Sequence, residues 1–108
     1  MQISIKGHHS HVSDSARQYI ESEVQKIERF YSPIIDCTVT ITEENVTKRV
    51  EVVTHVHGQT LKASDSDSKL YKATDTALDK MARQLQKLHD RRRNHRPALP
   101  KDITDTGE

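Results

Sequence analysis

The residues with the clearest chemical potential are cations that recur every three or four positions in the second half of the chain. They are Lys80, Arg83, Lys87 and Arg91. This spacing places side chains on one face of a helix, where like charges repel one another and cost stability. A bound anion would compensate that cost. We therefore expect a phosphate-binding face here, with a merely solvated charged face as the alternative.

The overall composition conceals this charge. The chain has 108 residues and a formal net charge of +1. Residues 1–68 hold 7 basic and 10 acidic side chains. Residues 69–101 hold 10 basic and 3 acidic side chains, and residues 102–108 hold no basic and 3 acidic side chains. A strongly basic segment between two acidic ones is typical of a nucleic-acid-binding surface rather than of uniform solubilising charge.

A helical projection of this basic segment sharpens the prediction. With Leu70 set to 0°, one flank between roughly 200° and 300° carries six cations and no acidic residue in its centre. Its members are Lys69, Lys72, Lys80, Arg83, Lys87 and Arg91. Three acidic residues, Asp75, Asp79 and Asp90, lie outside this arc or at its edge. The projection therefore predicts a basic stripe along one flank of the helix.

Cations elsewhere can extend this stripe. Arg92 continues it beyond the last packed turn, where the helix dipole also favours positive charge. Lys26 and Arg29 share one flank of an earlier predicted helix. Aromatic residues make up only 4% of the chain and tryptophan is absent, so platforms for base stacking are scarce. We expect affinity to come from phosphate contacts, with a structured RNA recognised by its shape.

The elements that position these cations follow from hydrophobic periodicity. Residues 2–6 alternate between polar and apolar, which predicts a first strand that Gly7 ends. From an N-cap at Ser13, apolar residues follow at helical spacing as far as Phe30 and Tyr31. Pro33 is expected to end this first helix, because the residue before a proline is pushed out of helical geometry.

Three more strands are predicted from period-two alternation. The second has four inward-facing residues: Ile35, Cys37, Val39 and Ile41. The third runs from Val50 to His57 and reverses at Gly58. A short fourth runs from Thr60 to Ser64 with Leu61 and Ala63 facing inward. Residues 64–68 are interpreted as a polar link that can cap the helix after it.

A second, longer helix completes the predicted order, β-α-β-β-β-α. Its apolar stripe comprises Leu70, Ala73, Thr74, Ala77, Leu78, Met81, Leu85 and Leu88. We expect an α+β domain over residues 1–93, a four-stranded sheet with two helices packed on one face, as in double-stranded-RNA-binding domains. The second to fourth strands should be antiparallel. Residues 94–108, with two prolines and an acidic end, are predicted to form a flexible tail.

Other candidate sites are weaker. Three histidines, His8, His9 and His11, could suggest a transition-metal site, but no carboxylate or thiolate lies beside them. Cys37 should be a buried structural thiol rather than a nucleophile. The sequence has no phosphate-binding glycine loop, nucleophile elbow or convincing acid–base pair. We therefore expect neither a metal, a cofactor nor enzymatic activity, and a histidine-dependent metal protein is a minor alternative.

The sequence also bears on location. No apolar run approaches the ~20 residues of a membrane span, and Met1-Gln2-Ile3 does not begin a signal peptide. We expect one cytoplasmic, monomeric domain that does not bind membranes.

Several short motifs resemble a known family. They are Ala63-Ser64, Leu70-Tyr71, Asp79-Lys80 and Arg83-Gln84-Leu85-x-Lys87. Together with the order of elements, they closely resemble the ribosome hibernation factors over residues 1–93. The resemblance implies a stationary-phase protein that binds the small ribosomal subunit in the channel for messenger and transfer RNA and halts translation. It also implies that Lys80, Arg83, Lys87, Lys26 and Arg29 face ribosomal RNA.

The end of the chain leaves the subtype open. The resemblance implies two types, because the shortest members promote inactive ribosome dimers with a ribosome modulation factor, whereas protein Y has a longer, acidic-ended tail and opposes dimers. Residues 96–108 are intermediate in length and acidic at the end. We expect the dimer-promoting type. The alternatives are a protein Y-like inhibitor and a general double-stranded RNA-binding module.

Overall fold

Six elements follow one another in the predicted order. The computed structural model describes residues 1–29 and 33–93, without the side chains of residues 91–93. The elements are β1 (Gln2–His8), α1 (Asp14–Ile27), β2 (Ile34–Glu44), β3 (Thr47–Val56), β4 (Gln59–Asp67) and α2 (Leu70–Arg93). The predicted α+β class is thereby confirmed. Neither helix in the described part of the chain is long and apolar enough to cross a membrane.

The four strands form one mixed sheet in the order β1-β2-β3-β4. β1 runs parallel to β2. As predicted, β2, β3 and β4 are successively antiparallel. The β2–β3 turn places Asn45 at a positive φ of 57°, and the β3–β4 turn places Gly58 at 84°. Glycine suits this left-handed conformation because it lacks a Cβ. The two hairpins therefore put β4 at the sheet edge opposite β1.

Both helices pack on one face of the sheet and enclose the core. Alternate residues of β2 and β3 point into it, including Cys37, Val39, Val50 and Val52. Seven of the eight residues predicted on the apolar stripe of α2 are buried, and the eighth, Leu70, packs partly buried against the core. On the packed side of α1, the buried residues are Ala16, Ile20, Val24 and Ile27. α2 lies over β3 and β4, and α1 contacts β1 and α2.

A bulge at the start of β2 corrects one predicted core residue. The pairing of β2 with β3 shifts between Ile34 and Asp36. As a result Ile34 is only 4% exposed, whereas Ile35 is 56% exposed. The prediction that Ile35 faces inward is wrong, because the extra residue at the bulge interrupts the alternation.

The fourth strand is longer than predicted. β4 continues to Asp67, where its residues pair with the first part of β3, from Lys48 to Glu51. The prediction of a polar link after Ser64 is therefore wrong, because ladder pairing outweighs the low strand propensity of serine and aspartate. Just before α2, Oδ1 of Asp67 accepts from the backbone N–H of Lys69 at 3.0 Å, whereas capping of the helix itself by this segment stays a prediction. This hydrogen bond lowers the pKa of Asp67.

The ends of two other elements also differ from the predictions. α1 begins after its predicted N-cap, Ser13, whose hydroxyl accepts from the N–H of Ala16 at 3.1 Å, but it ends at Ile27, well before Pro33. The predicted packing of Phe30 and Tyr31 falls outside the described residues. β1 passes through Gly7 to His8. A Cβ at Gly7 would lie 2.3 Å from the carbonyl oxygen of Ser10, so the following turn needs glycine there.

Helix side chains cover backbone carbonyls at both sheet edges. Nη1 of Arg17 donates to the carbonyl of Ile5 in β1 at 3.2 Å. At the other edge, Nζ of Lys80 donates to the carbonyl of Ser64 at 3.0 Å. Unpaired edge carbonyls can template pairing with another chain. At these two carbonyls, a helix side chain already occupies the acceptor.

Cys37 has the buried environment that its inward position predicts. It is 1% exposed, and the hydroxyl of Thr54 donates to its Sγ at 3.6 Å. Burial raises the pKa of the Cys37 thiol. Because the thiolate is the nucleophilic form, this environment is that of a structural thiol.

A tyrosine links the two helices. The hydroxyl of Tyr19 in α1 donates to Oδ1 of Asp75 in α2, and the Tyr71 ring meets Tyr19 edge to face at 4.6 Å. The hydrogen bond to Asp75, with a smaller effect of burial, raises the pKa of Tyr19 to about 12. The folded state therefore favours the neutral phenol.

This link predicts a loss of stability in alkali. The Tyr19 phenol ionises near pH 10 in the unfolded chain, so stability should fall as the pH rises from about 10 to about 12. Tyr19→Phe should lower stability at neutral pH by about 1 kcal/mol and show a shallower alkaline decline. Thermal unfolding of both proteins between pH 7 and 12 measures this. Equal alkaline slopes would contradict the assignment.

Candidate nucleic-acid interface

The basic flank of α2 lies beside the sheet edge formed by β4. A groove of about 760 Å³ runs between them. It is lined by Glu51, Lys62, Ala63, Ser64, Lys80, Arg83, Gln84 and Lys87. The fold thus brings three of the cations predicted as site residues into one groove.

Lys80 is tied to the strand edge. Its Nζ contacts the carbonyl of Ser64 at 3.0 Å and Oδ1 of Asp65 at 3.4 Å. Its side chain is 48% exposed all the same. An ion pair this open to water contributes little stability, so the ammonium can also meet a phosphate from solvent.

Arg83 has an acidic neighbour on its own helix. Its Nη2 lies 2.8 Å from Oδ2 of Asp79, one turn earlier. The projection puts Asp79 just outside the basic arc, and the structure shows that its carboxylate reaches the stripe. Both side chains are exposed, so the pair is weak and a phosphate can compete for the guanidinium.

The other predicted site residues lie outside this groove. Lys72 is exposed near the start of α2, where its charge helps to lower the pKa of Asp67. Lys26 forms an exposed ion pair with Glu23 at 2.8 Å on α1, and Arg29 is also exposed. These residues stay predicted contacts. α2 extends through Arg91 and Arg92, whose side chains lie outside the described part.

Four polar residues that line the groove were not among the predicted site residues: Glu51, Lys62, Ser64 and Gln84. Lys62 comes from β4, and Gln84 donates from Nε2 to the carbonyl of Lys62 at 2.7 Å. The position of Gln84, between Lys80 and Lys87 beside the apolar stripe, was a weak signal for a bridging side chain. Lys62 gave none, because the projection of one helix cannot show which strand lies next to it.

The arrangement suits binding of an anion. Four cations, Lys62, Lys80, Arg83 and Lys87, line the groove with one carboxylate, that of Glu51. The groove can therefore hold phosphates by charge-assisted hydrogen bonds.

The histidine segment does not form a metal-binding cluster in the described ranges. No group of three or more histidine, cysteine, aspartate or glutamate residues there could hold a metal ion. The His8 and His9 rings lie 4.2 Å apart.

Solved structures share the fold. The protein Y N-terminal domain of Thermus thermophilus superposes with a TM-score of 0.75 at 22% identity, covering 82% of this chain and 99% of that chain. A ribosomal subunit interface protein of Coxiella burnetii gives 0.73 at 22% identity, covering 83% and 99%. These likenesses establish the architecture.

Sequence comparison establishes the family. The ribosome hibernation promoting factor of Azotobacter vinelandii is 33% identical over 102 residues, covering 91% of this chain and 95% of that protein. The factor of the same name from Escherichia coli K12 is 30% identical over 95 residues, covering 88% and 100%. The family model described as sigma 54 modulation protein / S30EA ribosomal protein matches residues 3–93. The chain therefore belongs to the ribosome hibernation promoting factor family, and it covers nearly all or all of the length of these two relatives.

Proposed function

We propose that the protein is a ribosome hibernation factor, which binds ribosomes and keeps them inactive. The observation that carries this proposal is the groove between α2 and β4, where Lys80, Arg83 and Lys87 meet. The domain around it spans the whole length of a relative named for ribosome hibernation. The cations of the groove suit the phosphates of RNA, and the family is named for ribosome hibernation, so both observations support the ribosome as the partner.

The proposed mechanism is occlusion in the cytoplasm. The cations dock on phosphates of ribosomal RNA in the small subunit, in the channel that messenger and transfer RNA use. The folded body then fills space that translation needs, in stationary phase or under stress. No bond is made or broken, so the mechanism requires no enzymatic activity and no cofactor. Action as a monomer is part of this proposal.

The finer subtype is also part of the proposal. We favour promotion of inactive ribosome dimers together with a ribosome modulation factor, because the relatives bear the name hibernation promoting factor. A protein Y-like inhibitor that opposes dimers is the second candidate, favoured by the acidic end of the sequence at Asp102, Asp105 and Glu108. A general double-stranded RNA-binding module is not favoured by these relatives.

Sucrose-gradient sedimentation tests the proposal. The protein should sediment with small subunits and whole ribosomes, and about five phosphate contacts predict a log–log salt slope of roughly −4. A version ending at Arg93 should bind equally well, because the groove lies within residues 1–93. A slope near zero, or displacement from ribosomes by a generic RNA duplex, would contradict the proposal. Ribosome dimers in the same gradients, with and without modulation factor, distinguish the two subtypes.

A further inference from the structure

The groove beside α2 has a second wall with a cation of its own. Lys62 lies in β4, opposite the helix cations, and its residue is exposed. It takes part in none of the ion pairs among residues 1–29 and 33–90. Its diagonal neighbour across the β3–β4 ladder is Glu51, but no ion pair joins them. The ammonium of Lys62 is therefore available to a ligand.

Two hydrogen bonds fix the distance between the walls. Lys80 donates to the carbonyl of Ser64, and Gln84 donates to the carbonyl of Lys62. The donors are four residues apart on a helix, a rise of about 6 Å, and the acceptors are two residues apart on a strand, about 6.7 Å. The spacing of the two donors along the helix is thus nearly equal to the spacing of the two acceptors along the strand. Both hydrogen bonds can form at once, and they hold α2 along β4 at two points. Gln84 is a positioning residue in this arrangement.

The same two hydrogen bonds also determine where the cations of α2 lie relative to Lys62. α2 runs antiparallel to β4, because the later donor, Gln84, reaches the earlier acceptor, Lys62. The turn that follows Gln84 carries Lys87, which lines the same groove. Arg83 directly precedes Gln84 and is 75% exposed. Lys62 consequently lies across the groove from the Arg83–Lys87 end of the helix stripe.

We infer that Lys62 is a further phosphate-binding residue, and that the groove holds one strand of RNA backbone between Lys62 on β4 and Arg83 and Lys87 on α2. Cations on two walls can contact successive phosphates of a single strand from both sides, whereas a flat helical stripe contacts them from one side. This inference rests on the proposed ribosome binding and adds a contact that the helix alone does not supply.

A matched pair of variants tests the inference. Lys62→Gln removes the cation from β4, and Lys6→Gln makes the same change at an exposed position of the opposite edge strand, β1. Lys62→Gln should weaken binding to ribosomes about threefold to tenfold and make the salt slope shallower by about 1. Lys6→Gln should change neither quantity. Lys62→Arg should retain binding.

The outcomes separate the inference from the proposed function. If the wild-type protein binds ribosomes and Lys62→Gln binds equally tightly with the same slope, the inference is overturned and the proposed function stands. If the wild-type protein does not bind, the proposed function itself fails. Gln84→Ala removes the hydrogen bond that holds α2 along β4, so it should weaken binding to ribosomes. The salt slope should stay unchanged, because the variant retains every cation. Unchanged affinity in Gln84→Ala would overturn its positioning role.

Discussion

Reversing the charges of Lys80, Arg83 and Lys87 together to glutamate should weaken binding to ribosomes at least about a hundredfold. Three of roughly five phosphate contacts are removed, so the salt slope should become shallower, from about −4 to about −2. The three introduced carboxylates then repel the phosphates that the groove would hold. Sedimentation with purified small subunits at a series of salt concentrations measures both quantities.

The contacts of Lys80 define the control for this experiment. A glutamate at position 80 would face Asp65 and the carbonyl of Ser64, so the triple reversal should also lower the unfolding temperature by a few degrees. A second variant with Lys80→Gln, Arg83→Gln and Lys87→Gln removes the same three cations and adds no carboxylate beside Asp65 or Asp79. It should unfold close to the wild type and still bind far more weakly than the wild type. Tight binding by this folded variant would exclude the groove as the RNA site.

The fold was largely predictable because a half-buried sheet and two amphipathic helices leave periodic signals. The alternation through Val50, Val52 and Thr54 identified the buried face of β3. Departures arose where pairing between strands decided the outcome. The bulge beside Ile35 depends on the register against β3. The extension of β4 from Asp65 to Asp67 depends on pairing with Lys48, Arg49 and Val50, which lie far earlier in the chain. Neither signal is local.

The candidate site was predictable only on its helical side. A projection of α2 reveals the stripe of Lys80, Arg83 and Lys87, because the spacing of a helix is fixed. It cannot reveal Lys62, whose place in the groove follows from how α2 lies along β4. Nor can it reveal that Asp79 pairs with Arg83, because two residues near the edge of an arc touch only in particular rotamers. The residues of the second wall are determined by how α2 is aligned with β4, which is a property of the tertiary structure.

The groove depends in turn on the buried stripe of α2, so the second large effect is expected at Leu85. This side chain is fully buried, and its residue directly follows Gln84 on the helix. Leu85→Ala should lower the free energy of unfolding by about 2 to 5 kcal/mol, through lost transfer energy and the cavity left behind. Small domains have only about 5 to 15 kcal/mol in total. Thermal and urea unfolding measure the loss.

A control on the same helix separates packing from binding. Gln86→Ala shortens the exposed neighbour of Leu85 and should leave stability within about 0.5 kcal/mol of the wild type. At a temperature where the Leu85→Ala protein is still folded, its salt slope should equal that of the wild type, because every cation is retained. A loss below 1 kcal/mol would show that α2 is not anchored through Leu85. A shallower slope in the folded variant would show instead that core packing sets how many cations reach the RNA.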